Sequence, residues 1–460
     1  MKKEQRLHDN FRAMLQLAIP VVIAELGWIT MHVVDTIMVG RLGAEALGAV
    51  GVSTHLFFAA AIFGMGVLLG LDRLVSVAYG AGDLEACERW LYQGIYLALL
   101  MVPPLGLIVW GMSTQFGAWG ISPEVIHLAV PYMRTLIWSL CPLLLYACFR
   151  RYLQAVSVVK PVMVALISAN VLNVFVNWLL IFGNLGFSEL GVVGAGWATF
   201  FSRVYMAGFL LVAILLRSRR RGAPIWRKFF VPERDKLSRL MRLGLPAASQ
   251  VTLEVGVFAL AAAFAALLNP VSLAAHQVAI SVAAFTFMVP YGVSSAGAVR
   301  VGQSLGARNA REAEHSGWAA IKLGLAFMSV ATAAFLLIPV PILSLFTSDV
   351  RVIRLGVSLL AVAAIFQLFD GLQVIATGIL RGLGDTKGPM LVNLLGHWLL
   401  GLPVGYALCF KMGWGVTGLW LGLSLGLMTV GIVLLYVWKS RIRLIVQSVS
   451  LQHRSTADSA

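Results

Sequence analysis

The stretch LQLAIPVVIAELGWITMHVVDTIMVG at 15–40 decides how this chain is read. It carries two acids, Glu25 and Asp35, in an otherwise apolar run long enough to cross a hydrocarbon core of about 30 Å. Eleven comparable runs follow. The predicted spans are 13–38, 46–72, 90–112, 124–147, 161–183, 192–216, 238–267, 273–298, 317–340, 352–378, 388–410 and 415–438. Backbone groups in lipid must bond within the protein, which leaves helices or closed barrels. Apolarity sustained over twenty residues selects helices, because barrel strands alternate. The predicted fold is all-α: a polytopic membrane protein of twelve spanning helices in two pseudo-symmetric six-helix bundles.

Composition agrees. Of 460 residues 59% are hydrophobic and 12% charged, and mean hydropathy is +0.87. Soluble domains have about twice that share of charge. The net charge of +15 sits in short loops between spans, which argues for membrane topology and against nucleic-acid binding. Lys2, Lys3, Arg6, Arg12, the basic run of 217–242 and the Lys and Arg residues of alternate loops mark one side. The other side holds only Arg41, Arg351, Arg354 and Lys411, so both termini are expected in the cytoplasm. The apolar run after MKKEQRLHDN is too long for a removable signal peptide and lacks a small-residue cleavage site. Cys87, Cys141, Cys148 and Cys409 form no CxxC pair and read as free packing residues. No nucleophile elbow, zinc-protease helix or Walker lysine motif is present, so neither catalysis nor direct ATP use is expected.

The chain repeats itself once. LQLAIP at 15–20 matches MRLGLP at 241–246, and YGAGDLEACE at 79–88 overlies LGARNAREAE at 305–314, both at an offset of 226. GVVGAGW at 191–197 resembles GVTGLWL at 415–421. Both copies start on the same side, so the repeat is parallel, a plan used by transporters that bind substrate between halves. The expected division is an N-terminal lobe at 1–216, a cytoplasmic linker at 217–237, a C-terminal lobe at 238–440 and a tail at 441–460. The linker's basic run is also a candidate contact for anionic lipid. Pro20 and Pro246 share one repeat position and are expected to kink the first and seventh helices.

Ionisable groups inside spans are costly and mark function. They are Glu25, Asp35, Glu254 and Asp370, with Arg134 and Arg203, and with His32, His276 and His397. Glu25, His32 and Asp35 share one broad face of the first helix. Asn173 and Asn177, four apart, can present two amides together. Arg134 or Arg203 is expected to neutralise an acid such as Glu25. Trp28, Met31, Phe258, Phe366 and Phe369 lie near the acids and are candidates to line a cavity with Glu25 and His32, since flat rings attract cations. Four spanning acids against two spanning arginines favour cationic cargo.

Several segments together resemble the multidrug and toxic compound extrusion (MATE) family, most closely its NorM-type bacterial branch. They are VDTIMVGRLGAEALGAVGVS at 34–53, GLDRLVSVAYGAGD at 70–83, PAASQVTLEVGVF at 246–258, AAHQVAISV at 274–282, GQSLGARN at 302–309 and LRGLGDTKGP at 380–389. The resemblance covers essentially the whole chain. It implies a bacterial inner-membrane antiporter that exports small cationic amphiphiles in exchange for protons or sodium ions, needs no cofactor and acts as a monomer among membrane lipids. A distant branch of the superfamily moves lipid-linked precursors, which is the alternative. By the resemblance, Asp35, Asn173, Asn177 and Thr199 form one coupling site, and Glu254 and Asp370 are the acids of the second half, which either bind the coupling ion or pair with a substrate cation. Asp35, Asn173 and Asn177 offer the oxygen donors that suit sodium, and a desolvated Asp35 carboxylate could instead carry a proton. The branch often has a tyrosine four residues before the last acid. Here Phe366 stands there. With His32 one turn from Asp35, that departure tilts the expectation toward protons.

Overall fold

The computed structural model describes residues 2–220 and 231–458, with side chains for 11–219 and 231–448. Part of the expected linker, 221–230, lies outside the described residues. Among those described there is no strand. Eleven helices are long and apolar enough to cross a membrane, and a bent pair, Pro123–Trp138 with Leu140–Ala155, brings the number to twelve. In chain order the elements are α1 (Lys2–Gly40), α2 (Ala44–Val67), α3 (Gly70–Gly80), α4 (Leu84–Thr114), α5 (Pro123–Trp138), α6 (Leu140–Ala155), α7 (Lys160–Phe182) and α8 (Gly191–Arg220). The second half holds α9 (Arg234–Ala266), α10 (Pro270–Gly306), α11 (Ala310–Leu337), α12 (Pro339–Ser344), α13 (Val350–Leu383), α14 (Lys387–Asn393), α15 (Leu402–Tyr406) and α16 (Gly415–Asp458).

The repeat seen in the sequence reappears in the backbone. Asp83 caps α4 by accepting from the Ala86 amide at 2.8 Å, and Asn309 caps α11 by accepting from the Glu312 amide at 3.1 Å. Donor and acceptor are both displaced by the repeat offset. A short oxygen at this position satisfies an amide that the first helical turn leaves without a partner. The residue before each cap is left-handed: Gly82 has φ 77° and Arg308 φ 56°. Glycine takes that conformation freely, whereas arginine bears a cost of about 1–2 kcal/mol.

Two spans depart from a regular helix. The fourth is expected as one helix over 124–147 but bends by 44° between α5 and α6, and α6 runs on to Ala155. Pro142 has no amide to offer the Trp138 carbonyl one turn back. At the break the Ser139 hydroxyl donates to the Leu136 carbonyl at 2.6 Å, which diverts the helical ladder further. The eleventh span is wound as a π-helix over Leu394–Gly401 and Ala407–Lys411. Gly396 and Gly401 both abut Gly426 of α16. In an α-helix, five residues would turn the second glycine about 140° away from the first. The wider winding keeps both on the seam. Pro20 and Pro246 lie inside α1 and α9, and both helices run on through them.

The chain forms two compact units. One comprises Ile23–Tyr79 and Asp83–Ala248 and is called the Asp35 unit below. The other comprises Met1–Val22, Gly80–Gly82 and Ser249–Ala460 and is called the Glu254 unit. Each boundary within α1 and α9 falls two residues after that helix's proline, at positions again separated by the repeat offset.

Candidate functional site

In the Asp35 unit, three helices bring four of the expected residues together. Asp35 of α1 is 7% exposed, and Asn173 and Asn177 of α7 are fully buried. Asn177 Nδ2 donates to Asp35 Oδ1 at 2.6 Å and to Asn173 Oδ1 at 3.1 Å, so one amide bridges two oxygens. Thr199 of α8 stands beside the same carboxylate. Asn177 Oδ1 is buried with no hydrogen-bond partner among the described residues, and Asn173 Nδ2 and Thr199 Oγ1 approach Asp35 without closing a full hydrogen bond. Buried polar atoms without partners are uncommon and call for a reason. Turning the Asn177 amide over would aim its oxygen at the point its nitrogen now bridges, giving the oxygen-only set that a hard cation takes. The donor set therefore fits sodium by chemistry, just as the carboxylate fits a proton.

One turn after Thr199, Arg203 is buried on the same helix. Its guanidinium lies 4.7 Å from the Phe57 ring centre and 5.7 Å from that of Phe58, and it donates to Ser139 Oγ at the α5–α6 break. It acts on Asp35 through space. Phe58 meets the His32 ring at 4.9 Å, and Trp28 meets His32 at 5.8 Å and stacks on Tyr146 at 6.2 Å. Trp28 and His32 thus join an aromatic group whose other members, Phe57, Phe58 and Tyr146, were not singled out in the sequence. Met31 is 5% exposed and packs in the core of this unit.

Glu25 departs from expectation. Its partner is Arg150 of α6, not Arg134 or Arg203. The next residue, Arg151, faces the fully buried Asp72 of α3 at 3.6 Å. In the sequence both arginines read as loop residues, because the expected span ends at 147. Arg134 is exposed and has no acidic partner among the described residues.

In the Glu254 unit, α9 and α13 hold the second pair of acids. Glu254 Oε2 accepts from Gln250 Nε2 at 2.6 Å, and Oε1 accepts from Gln373 Nε2 at 2.7 Å. Gln373 also reaches toward Asp370, and the two acids act on each other through space. Among the described residues no basic group contributes to either. Sequence reasoning missed both glutamines. Their signal was spacing: Gln250 is four residues before Glu254, and Gln373 three after Asp370. Phe366 is 2% exposed and packs on Trp420 at 5.6 Å, and Phe258 packs against the same core. Phe369 is half-buried, with its backbone against Gly431. His276 accepts from Trp420 Nε1 at 3.0 Å, and His397 is buried with no partner for either nitrogen among the described residues.

The MatE family pattern matches residues 20–179 and 246–407, one match in each half. The chain is 36% identical over 448 residues to the probable multidrug resistance protein NorM of Mesorhizobium japonicum, covering 96% of both chains. It is 31% identical over 435 residues to the multidrug resistance protein NorM of Aliivibrio fischeri, covering 93% of this chain and 94% of that one. Among solved structures, a eukaryotic MATE transporter superposes with a TM-score of 0.84 at 22% identity, covering 96% of this chain and 99% of the other. A MATE structure in a bent conformation superposes with a TM-score of 0.88 at 22% identity, covering 98% and 99%. With a family pattern in each half and relatives aligned from end to end, this chain belongs to the MatE family.

Proposed function

We propose that the chain is a multidrug efflux antiporter, a transporter and not an enzyme, that exports small organic cations in exchange for protons or sodium ions by alternating access. The observation that carries this reading is how the buried acids are satisfied. Glu25 and Asp72 are paired with arginines and are structural. Among the described residues Asp35, Glu254 and Asp370 are hydrogen-bonded by neutral amides and not by an arginine, so each can take up a proton or a cation. A carboxylate inside a span that is not paired is costly unless it works. The NorM names of the relatives support efflux of several compounds. The two acids of the Glu254 unit, with no basic group beside them, support a positively charged cargo over an anionic lipid head. The bacterial relatives support an inner-membrane location. The Lys and Arg distribution supports cytoplasmic termini, and the protein works as a monomer among lipids.

The test is transport by purified protein in liposomes. A fluorescent organic cation is followed under an imposed sodium gradient, then under an imposed proton gradient, with Asp35→Asn and Glu254→Gln beside the parent. Dye movement under one gradient, abolished by Asp35→Asn, identifies the antiporter and its ion. Several dyes standing still under both gradients would sink the proposal and favour a carrier of lipid-linked precursors.

A further inference from the structure

The Asp35 cluster contains a cation that none of the expected site residues accounts for. Arg203 is 2% exposed and pairs with no carboxylate among the described residues. It is nonetheless fixed from two directions. The rings of Phe57 and Phe58 hold its flat face, and the Ser139 hydroxyl accepts its hydrogen bond. Guanidinium stacks on aromatic rings and tolerates partial dehydration, which an ammonium does less well. The helix repeat places it one turn from Thr199, on the face turned toward Asp35.

We propose that Arg203 decides which ion this cluster takes: it is a resident cation that keeps sodium out of the Asp35–Asn173–Asn177–Thr199 set. The proposal rests on the reading of Asp35 as a coupling group. Its physical basis is charge. Asp35 and Arg203 sum to zero, so a metal ion entering the oxygen cluster leaves a buried net charge of one, and like charges in a medium of low dielectric repel over long range. A transport protein's sodium site has little affinity to lose. A proton binds covalently to a carboxylate oxygen, so it tolerates the same repulsion.

The other groups near the carboxylate do not cancel the effect. Tyr132 of α5 turns its hydroxyl to Thr54 Oγ1 at 3.3 Å. His55 of α2 donates from Nδ1 to the Gly51 carbonyl at 2.6 Å. His32, on α1 itself, stands between the Trp28 and Phe58 rings. None of the three carries a negative charge that would offset the guanidinium.

The experiment measures binding of radioactive sodium to the purified protein. The parent, Arg203→Gln and Arg203→Lys are compared, each with and without Asp35→Asn. The parent is expected to show no sodium binding that Asp35→Asn removes. Arg203→Gln is expected to gain Asp35-dependent sodium binding tighter by at least about tenfold, while Arg203→Lys, which keeps the charge, behaves as the parent. A folded Arg203→Gln that gains no such binding overturns the proposal. So does a parent that already binds sodium through Asp35, and that arm decides the matter even if Arg203→Gln does not fold. Dye transport that survives Asp35→Asn would refute the coupling role of Asp35 itself, a failure separate from any sodium result.

Discussion

The two acid clusters sit on repeated scaffolds yet carry unlike charge. In the Asp35 unit a single carboxylate is ringed by two asparagines and a threonine, with Arg203 acting on it from the next turn of α8. In the Glu254 unit two carboxylates are joined by Gln373, and among the described residues no basic group acts on either. One cluster therefore sets a carboxylate beside a resident cation, and the other sets two carboxylates together with no cation among the described residues. At the repeat offset Asp35 falls on Ala261 and Glu254 on Trp28, so neither acid has a counterpart. The caps at Asp83 and Asn309 show how closely the two copies agree where only the backbone matters. A shared frame with unshared acids is the pattern of two jobs on one scaffold. On the proposed function, the two-acid cluster is suited to cationic cargo and the cluster with Arg203 to exchange of a single ion.

That division predicts its largest effect in transport kinetics. Asp35→Asn is expected to lower the maximal rate of dye transport by at least about tenfold with the half-saturating dye concentration unchanged. Glu254→Gln with Asp370→Asn is expected to raise the half-saturating concentration by about tenfold or more. Rate and concentration dependence measured in the same liposomes separate the two. If both variants change the same parameter in the same way, the clusters do not divide the work and the comparison fails.

Much of this was legible before the structure. A carboxylate in an apolar run cannot be hidden from the sequence, so Asp35, Glu254 and Asp370 stood out, while Asn173 and Asn177 were placed beside Asp35 by the family resemblance, their four-residue spacing showing only that they share a face. The repeat was legible because glycine and cap positions tolerate few substitutes. What escaped were groups whose letters have an ordinary reading. Arg150 and Arg151 follow an apolar span directly, where arginine normally marks a loop, and only the extension of α6 to Ala155 buries them. Gln250 and Gln373 are neutral and inexpensive enough to pass as helix packing. Arg203 was visible as a spanning charge, but its role lies in the rings of Phe57 and Phe58, which are distant in sequence and met only through α2. The break at Ser139 needed Pro142 and a serine to act together, and neither alone ends a helix.

A second prediction separates structural acids from working ones. Arg150→Ala would leave Glu25 buried without its partner, and removing one member of a buried pair costs about 3–5 kcal/mol. The expected result is a clear loss of thermal stability in detergent. Glu25→Gln together with Arg150→Met, which removes both charges, is expected to recover much of it. Asp35→Asn should leave the melting temperature near that of the parent, because the amide of Asn177 can still find an acceptor there. An Arg150→Ala protein as stable as the parent would place Glu25 with the working acids.

The smallest effect comes from an arginine–carboxylate pair in water, which is the control for what Arg203 does in the membrane. Asp349 caps α13 by accepting from the Arg351 amide at 2.8 Å, and its other oxygen accepts from Arg351 Nη2 at 2.9 Å. The Arg351 side chain and then its amide hold the Asp349 carboxyl down to about 2. A depressed carboxyl contributes stability above its unfolded value, near about 4, and loses it as the pH falls toward the folded value. Asp349→Asn should therefore melt slightly below the parent near about pH 7, and the gap should close on acidification between these two values. Added salt should narrow the gap as well, since exposed charges are screened. The Arg203 effect on sodium binding should resist salt that carries no sodium, because burial excludes the screening ions. If both effects faded together with ionic strength, Arg203 would be acting through solvent like Arg351, and the Asp35 cluster would lose its claim to a resident cation.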